Sequence, residues 1–307
     1  MGDAAALPDH DRGRAPPPPP AQGRGRIDLA ARPGALNPGS WLEVFARAGE
    51  DVRRAVAPLS GTEPGRRGYS RGAGGDTTVE VDRIAEAAVF HHLAGLAERG
   101  ERFSVLSEEA GERDFGAPYP LVLVDPVDGS LNAKQGVPLF GLMLAVLEGP
   151  TLADATAGLV QNLSTGQTWT ALRGVGARSD GAPLTVLARS HRERIEVLGL
   201  ESTPRALKLA QPLVERSHKI RILGSMAISL ALTSAGALDV FCAPIPVRVF
   251  DTAASLLLLR ESGGVATTLE GEPLDGLRCD LSTRATLLCA PTPELHAEAL
   301  ATLRAAR

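Results

Sequence analysis

The chain has 307 residues, 44% of them hydrophobic, which is enough for one large domain or two moderate ones around a substantial core. Its formal net charge of −4 gives no electrostatic footprint for nucleic acid as a bulk partner. The three cysteines, Cys242, Cys279 and Cys289, lack metal-type spacing, and no charged-then-apolar leader is present. The longest apolar runs, such as Ala253 to Leu259, fall far short of the ~20 residues of a spanning helix, so the expectation is a reduced, cytoplasmic protein with no membrane role.

Residues 1–38 carry Pro16 to Pro20, Gly-Arg repeats and few apolar side chains, so burial cannot offset their ordering entropy and a disordered tail is predicted. Ser40-Trp41-Leu42-Glu43 has the S-x-x-E form of a capping box, and Leu42, Phe45, Val52 and Val56 continue a helix that Pro58 stops. Six glycines between Gly61 and Gly75 predict a flexible basic loop ending at Asp76-Thr77-Thr78. A second helix follows, with Thr77 to Glu80 as its capping box and Val81, Ile84, Ala85, Ala88, Val89, Leu93 and Leu96 as its apolar face. At roughly 100° per residue, Asp82 falls inside that apolar sector, between Val89 and Leu93. A carboxylate buried there needs a partner, and a metal would serve; its early position also fits an ordinary N-terminal Asp favoured by the helix dipole.

The apolar segment Phe103-Ser104-Val105-Leu106 leads into Ser107-Glu108-Glu109. Next, Leu121 to Val124 reads as a buried strand running into Asp125-Pro126-Val127-Asp128-Gly129-Ser130. Two hard oxygen ligands at one rigid strand end suit a divalent cation, and the N–H groups of Gly129 and Ser130 can face an anion. For this motif alone an ordinary Asp/Pro/Gly turn is the competing reading. Phe140 to Leu147, Ala157 to Val160 and Gln167 to Leu172 predict an antiparallel meander, followed by a glycine-rich hairpin through Gly174-Val175-Gly176-Ala177 and Gly181-Ala182-Pro183-Leu184. From about Arg189 the pattern changes to alternating strands (Ile195–Gly199, Ile220–Leu223, Leu238–Phe241, Thr286–Cys289) and helices (Arg205–Glu215, Ser225–Ser234, Thr252–Ser262, Pro293–Leu303). Within it, Phe250-Asp251-Thr252-Ala253-Ala254 opens an apolar run that ends in Glu261-Ser262-Gly263-Gly264.

The three pieces Ser107-Glu108-Glu109, Asp125 to Ser130 and Phe250 to Ala254, in this order, resemble the inositol monophosphatase family of Mg²⁺-dependent sugar phosphatases from about Ser40 to the C-terminus. The resemblance implies an α+β / α/β fold of αβαβα layers, in which an N-terminal α+β half (39–188) carries most metal ligands and a C-terminal α/β half (189–307) the last metal Asp. It implies that Glu108, Asp125 and the Val127 carbonyl hold one ion, and that Asp125, Asp128 and Asp251 hold a second. A third, weaker ion lies near Glu108 and Asp82, where the attacking water is positioned with help from the Ser130 hydroxyl. Asp82, Glu108 and Ser130 are thus the expected catalytic groups, and Asp128, Gly129 and Ser130 the expected phosphate site. Glu109 ranks below these. An acidic cluster without Cys or His points to Mg²⁺ rather than Zn²⁺, and the resemblance implies two or three such ions.

Inositol-specific relatives carry an acidic residue seven positions before the last metal Asp, where this chain has Pro244, and Phe250 stands in place of the usual Trp. Gly72-Ala73-Gly74-Gly75-Asp76 and Arg248 are similar to the archaeal-type branch, whose members hydrolyse both inositol phosphate and fructose 1,6-bisphosphate. Arg71, Arg248, Glu201 and Ser202 are candidate substrate contacts. The expectation is a Mg²⁺-dependent phosphatase that hydrolyses a small sugar or polyol phosphate with metal-activated water. The alternatives are a fructose-1,6-bisphosphatase, an adenosine 3′,5′-bisphosphate or histidinol-phosphate phosphatase, and a non-catalytic relative. The resemblance leaves the oligomeric state, a homodimer included, open.

Overall fold

Asn37, not Ser40, starts the first helix in the computed structural model, which describes residues 36–75, 77–184, 195–201, 203–204 and 206–306. Nearly all of the expected tail, Asp76, Ser202, Arg205 and the boundary at Arg189 lie outside the described residues. In α1 (Pro38–Val56) the Asn37 side chain accepts from the Ser40 N–H at 3.0 Å. Asn is at least as good a cap as Ser, and Pro38 fits the first helical position, where no N–H is needed, so the helix begins earlier than the capping box at Ser40 predicts. α1 buries Trp41, Phe45, Val52 and Val56 and gives way to a 3₁₀ turn at Ala57–Leu59.

The glycine-rich stretch is only partly a loop. β1 (Gly68–Arg71) pairs antiparallel with β2 (Thr77–Val79), because Thr77-Thr78-Val79 is a β-branched run that favours extended backbone. Thr77 therefore lies in a strand, and the capping box expected at Thr77 and Glu80 is replaced. α2 (Glu80–Glu98) starts after Val79, and Asp82 in its first turn accepts from the Val79 N–H at 2.8 Å.

β3 (Ser104–Ser107), β4 (Gly111–Asp114), β5 (Leu121–Asp128), the short helix α3 (Ser130–Gln135), β6 (Gly141–Leu147), β7 (Ala155–Asn162), β8 (Thr168–Leu172), β9 (Gly176–Ser179) and β10 (Ala182–Pro183) follow. Their strands form one sheet in the order β10-β9-β8-β7-β6-β5-β3-β4. β6 to β10 are the expected meander and hairpin, β5 is the expected buried strand, and β3 lies parallel to β5. β4 reads Gly-Glu-Arg-Asp and has no apolar period to announce it.

The remaining chain contains β11 (Ile195–Leu200), α4 (Gln211–Arg216), β12 (Ser217–Arg221), α5 (Met226–Ser234), β13 (Val240–Arg248), α6 (Ala253–Glu261), β14 (Val265–Thr267), β15 (Arg284–Ala290) and α7 (Pro293–Ala305). The second sheet has the order β12-β11-β13-β15-β14, with β11 parallel to both its neighbours. β13 runs on through Pro244 and Pro246, beyond the end expected at Phe241. A register shift between Ala243 and Val247 accommodates the prolines, which cannot donate to a ladder.

The helices α1 and α2 cover one face of the first sheet, and α5 and α6 lie between the two sheets. The outer face of the second sheet is covered by α4 and α7. This is the αβαβα layering. The α6 contact is close because β7 has Gly158, where a Cβ would lie 2.9 Å from the Ala254 Cα. The three cysteines are buried and free. Among the described residues no helix is long and apolar enough to cross a membrane.

Candidate active site

Parallel pairing of β3 with β5 brings two separate motifs to one place. The Glu108 N–H donates to the Val124 carbonyl at 3.1 Å, so Glu108 leaves β3 beside Asp125 on β5. At Asp125-Pro126-Val127-Asp128 the register against β6 shifts, since Pro126 has no N–H for a ladder bond. Gly129 then turns the chain into α3 with φ 88°, and a Cβ there would meet the Gly224 carbonyl at 2.8 Å. Both constraints favour glycine.

Asp251 arrives from the second half of the chain, in the 3₁₀ turn Phe250–Thr252 between β13 and α6. Ligand oxygens of Glu108, Asp125 and Asp251 lie within 4.8 Å of one another. Oδ1 of Asp125 and Oδ1 of Asp251 are buried without a hydrogen-bond partner among the described residues. Arg248 is drawn into this group: its Nε donates to Asp251 Oδ2 at 2.8 Å, its Nη2 to Glu108 Oε1, and its Nη1 to the Gly74 carbonyl at 3.2 Å.

Asp128 points its Oδ2 at the start of α5, accepting from the Ala227 N–H at 2.8 Å and from the Ser225 hydroxyl. Asp82 is 2% exposed, and the partner it needs is supplied by the chain. Oδ2 caps α2 through Val79, and Oδ1 accepts from the Ser130 hydroxyl at 2.8 Å. That hydroxyl also lies 2.9 Å from the Val127 carbonyl, and its single proton can serve only one of the two acceptors. Glu109 accepts from the Thr78 hydroxyl.

Asp82, Glu108, Asp125 and Ser130 are in the wall of a cleft of about 300 Å³, with Glu109, Val127, Asp128, Gly129 and Arg248, while Asp251 lies behind Arg248 and is not part of that wall. Arg71 is exposed on β1 and is not part of that wall. Lys134 is, though sequence reasoning passed over it. Its signal was its spacing, four residues after Ser130 and so on the same face of α3.

Electrostatically the cleft is overloaded with negative charge. Burial, reinforced by the neighbouring Glu108, Asp128 and Asp251, raises the Asp125 carboxyl well above the usual range. Burial likewise pushes Asp251 up to about 7 against the pull of Arg248, and Asp128 to about 6 despite its bonds from Ser225 and α5. Asp82 rises to about 6 and Glu109 to about 7, again chiefly through burial. Arg248 stays cationic because Asp251 and Glu108 outweigh the burial that opposes its charge. Buried carboxylates with orphaned oxygens, hard donors and no thiolate or imidazole among them are the donor set of an oxygen-preferring cation, so the group can hold a metal ion.

The sequence profile of the inositol monophosphatase family matches residues 42–307. The chain belongs to that family. It is 32% identical over 274 residues to the fructose-1,6-bisphosphatase/inositol-1-monophosphatase of Methanothermobacter thermautotrophicus, an alignment covering 86% of this chain and 96% of the relative. Human inositol monophosphatase 2 is 27% identical over 263 residues, covering 80% and 87%. A solved Pyrococcus horikoshii protein with similarities to inositol-1 monophosphatase superposes with a TM-score of 0.73 at 24% identity, covering 87% of this chain and 99% of its own. The αβαβα layering is thus the inositol monophosphatase fold, and membership makes the chain a hydrolase of phosphoric monoesters.

Proposed function

We propose that this inositol monophosphatase family member hydrolyses small sugar or polyol phosphate monoesters with Mg²⁺, using both inositol 1-phosphate and fructose 1,6-bisphosphate. The observation that carries the reading is the convergence of Glu108, Asp125 and Asp251, from three separate elements, with two buried carboxylate oxygens left unpartnered. The relative from Methanothermobacter carries both activities in its name, and buried Pro244 offers no side-chain acceptor to select inositol hydroxyls.

Glu108, Asp125, Asp128 and Asp251 would hold the ions, together with the Val127 carbonyl. Two or three Mg²⁺ there would neutralise phosphate oxygens and make water a better nucleophile. The chain's own part is positioning. The N–H groups of Gly129 and Ser130, at the end of β5, receive the phosphate. The Ser130 hydroxyl orients the attacking water, and Asp82, hydrogen-bonded to that hydroxyl and raised to about 6, accepts the proton as the new O–P bond forms; the ester P–O bond breaks and the departing alkoxide oxygen takes a proton from solvent to leave as the alcohol. The intact carboxylate set favours catalysis over a regulatory relative. The buried free thiols fit a reducing compartment such as the cytoplasm.

The test is phosphate release from a panel containing inositol 1-phosphate, fructose 1,6-bisphosphate, adenosine 3′,5′-bisphosphate and histidinol phosphate, on chelator-treated protein with and without added Mg²⁺. Mg²⁺-dependent turnover of the first two is expected. Turnover confined to the nucleotide or to histidinol phosphate would replace the substrate assignment, and turnover indifferent to Mg²⁺ would remove the metal assignment.

A further inference from the structure

Glu201 is the first residue after β11, and its N–H donates to the Cys242 carbonyl at 3.1 Å. β11 pairs with β13 only from Leu198 to Leu200, against Val240 to Cys242, so this bond is the last before the two strands part. The chain leaves β11 for β12 on one side and then crosses to β13 on the other. The gap beyond the carboxyl end of β11, where β13 parts from it, is therefore the switch point of the second sheet, where open sheets of this kind take ligands.

Into this place the fold puts a carboxylate it does not use. Glu201 is half-buried, and its Oε2 is buried with no hydrogen-bond partner among the described residues. Burial and then the nearby Asp128 carboxylate raise it to about 7, so Glu201 shares the electrostatic neighbourhood of the cleft although it sits on the other half. An acceptor buried without a donor is destabilising, and nothing in the described fold offsets it. A ligand rich in hydroxyl donors would. Pro244, two residues beyond Cys242 on β13, has no side-chain acceptor to compete for those donors.

We propose that Glu201 is a specificity-determining residue, its carboxylate accepting hydrogen bonds from hydroxyls of the substrate's polyol portion while the phosphate lies at Gly129 and Ser130. The inference rests on the phosphatase reading above and assigns its recognition of the sugar end to β11. Two oxygens on one carboxylate suit a pair of adjacent hydroxyls, each bond requiring a donor that a simple aryl phosphate lacks.

The experiment compares inositol 1-phosphate with phenyl phosphate, which has no hydroxyls, on the Mg²⁺-loaded full chain, in wild type, Glu201→Gln and Glu201→Ala. Expected is a rise in KM for inositol 1-phosphate of about tenfold in Glu201→Ala, smaller in Glu201→Gln, which keeps one acceptor oxygen. For phenyl phosphate, kcat and KM should stay within about twofold in both variants, and Glu201→Ala should not melt below the wild type, because an unpartnered buried group has been removed. Equal losses on both esters with a lowered melting temperature would make Glu201 structural, and unchanged kinetics on both would remove it from the site. A wild type that cleaves phenyl phosphate but not inositol 1-phosphate sinks the Glu201 assignment and leaves the phosphatase reading standing. A wild type that cleaves no ester on the panel sinks both.

Discussion

Arg248 donates to Asp251 across 2.8 Å and, with its other end, to Glu108, so one guanidinium ties together two carboxylates that are far apart in sequence, one just after β3 and one just after β13. The pair is nearly closed off from solvent, with side chains 13% and 9% exposed. A cation entering between Asp125 and Asp251, as proposed, would meet a site already partly neutralised, and Arg248 would compete with it for Asp251 Oδ2. Removing the guanidinium leaves the carboxylates to repel one another more strongly without metal than with it. In Arg248→Ala the metal-free protein should therefore lose more stability than the Mg²⁺-loaded protein. Melting curves in chelator and in Mg²⁺ would show a larger metal-induced rise in Tm for the variant than for wild type. An equal rise in both would mean that Arg248 and the cation do not share the site.

Asp125 has a buried oxygen with no partner and is pressed by three other carboxylates. Asp125→Asn should cut turnover at saturating Mg²⁺ on the order of 10²–10³, as removal of a transition-state charge stabiliser does. In chelator the same variant should melt at or above the wild-type temperature, because a buried charge has been exchanged for an amide. Wild-type turnover in the variant would end the metal assignment for this residue.

Two substitutions separate the roles of Asp82. Asp82→Asn can still accept from the Val79 N–H and so should keep the start of α2, yet it loses the charge beside Ser130. Turnover should fall with little change in Tm. Asp82→Ala removes the cap as well and should cost about 1 kcal/mol of stability in addition. Unchanged kinetics in Asp82→Asn would reduce the residue to a helix cap.

The raised carboxyls set a direction for pH dependence. Asp82 and Asp128 near 6, and Glu109, Asp251 and Glu201 near 7, lie above their ordinary values near 4, so the folded, metal-free state binds more protons than the unfolded state between those limits. Stability contributed by these protons is present at the acid end and lost as pH rises through the folded values. Denaturant unfolding in chelator should show the protein less stable at pH 7.5 than at pH 5. Mg²⁺ should flatten that slope by taking the place of the protons. A metal-free protein that gains stability from pH 5 to 7.5 would contradict the crowding of charge in the cleft.

Local chemistry in the chain already specified much of the molecule. Leu121 to Val124 must be a buried strand, the meander follows from apolar segments punctuated by glycine and proline, and a pair of carboxylates before Gly129-Ser130 announces a site, because each signal spans only a few neighbouring residues. Competition between nearby alternatives went the other way at two helix starts. Asn37 with Pro38 outbid Ser40, and the β-branched run Thr77 to Val79 took the residues expected to cap α2. What needed the folded chain were relationships between residues distant in sequence. Glu108 meets Asp125 only because β3 lies parallel to β5, and Asp251 reaches them because α6 packs against Gly158 between the sheets. Arg71 and Arg248 looked alike as basic residues near a glycine loop and near Asp251. Pairing put Arg71 on an exposed strand and Arg248 among buried carboxylates, since burial and charge balance belong to the assembled layers and are not written in any one segment.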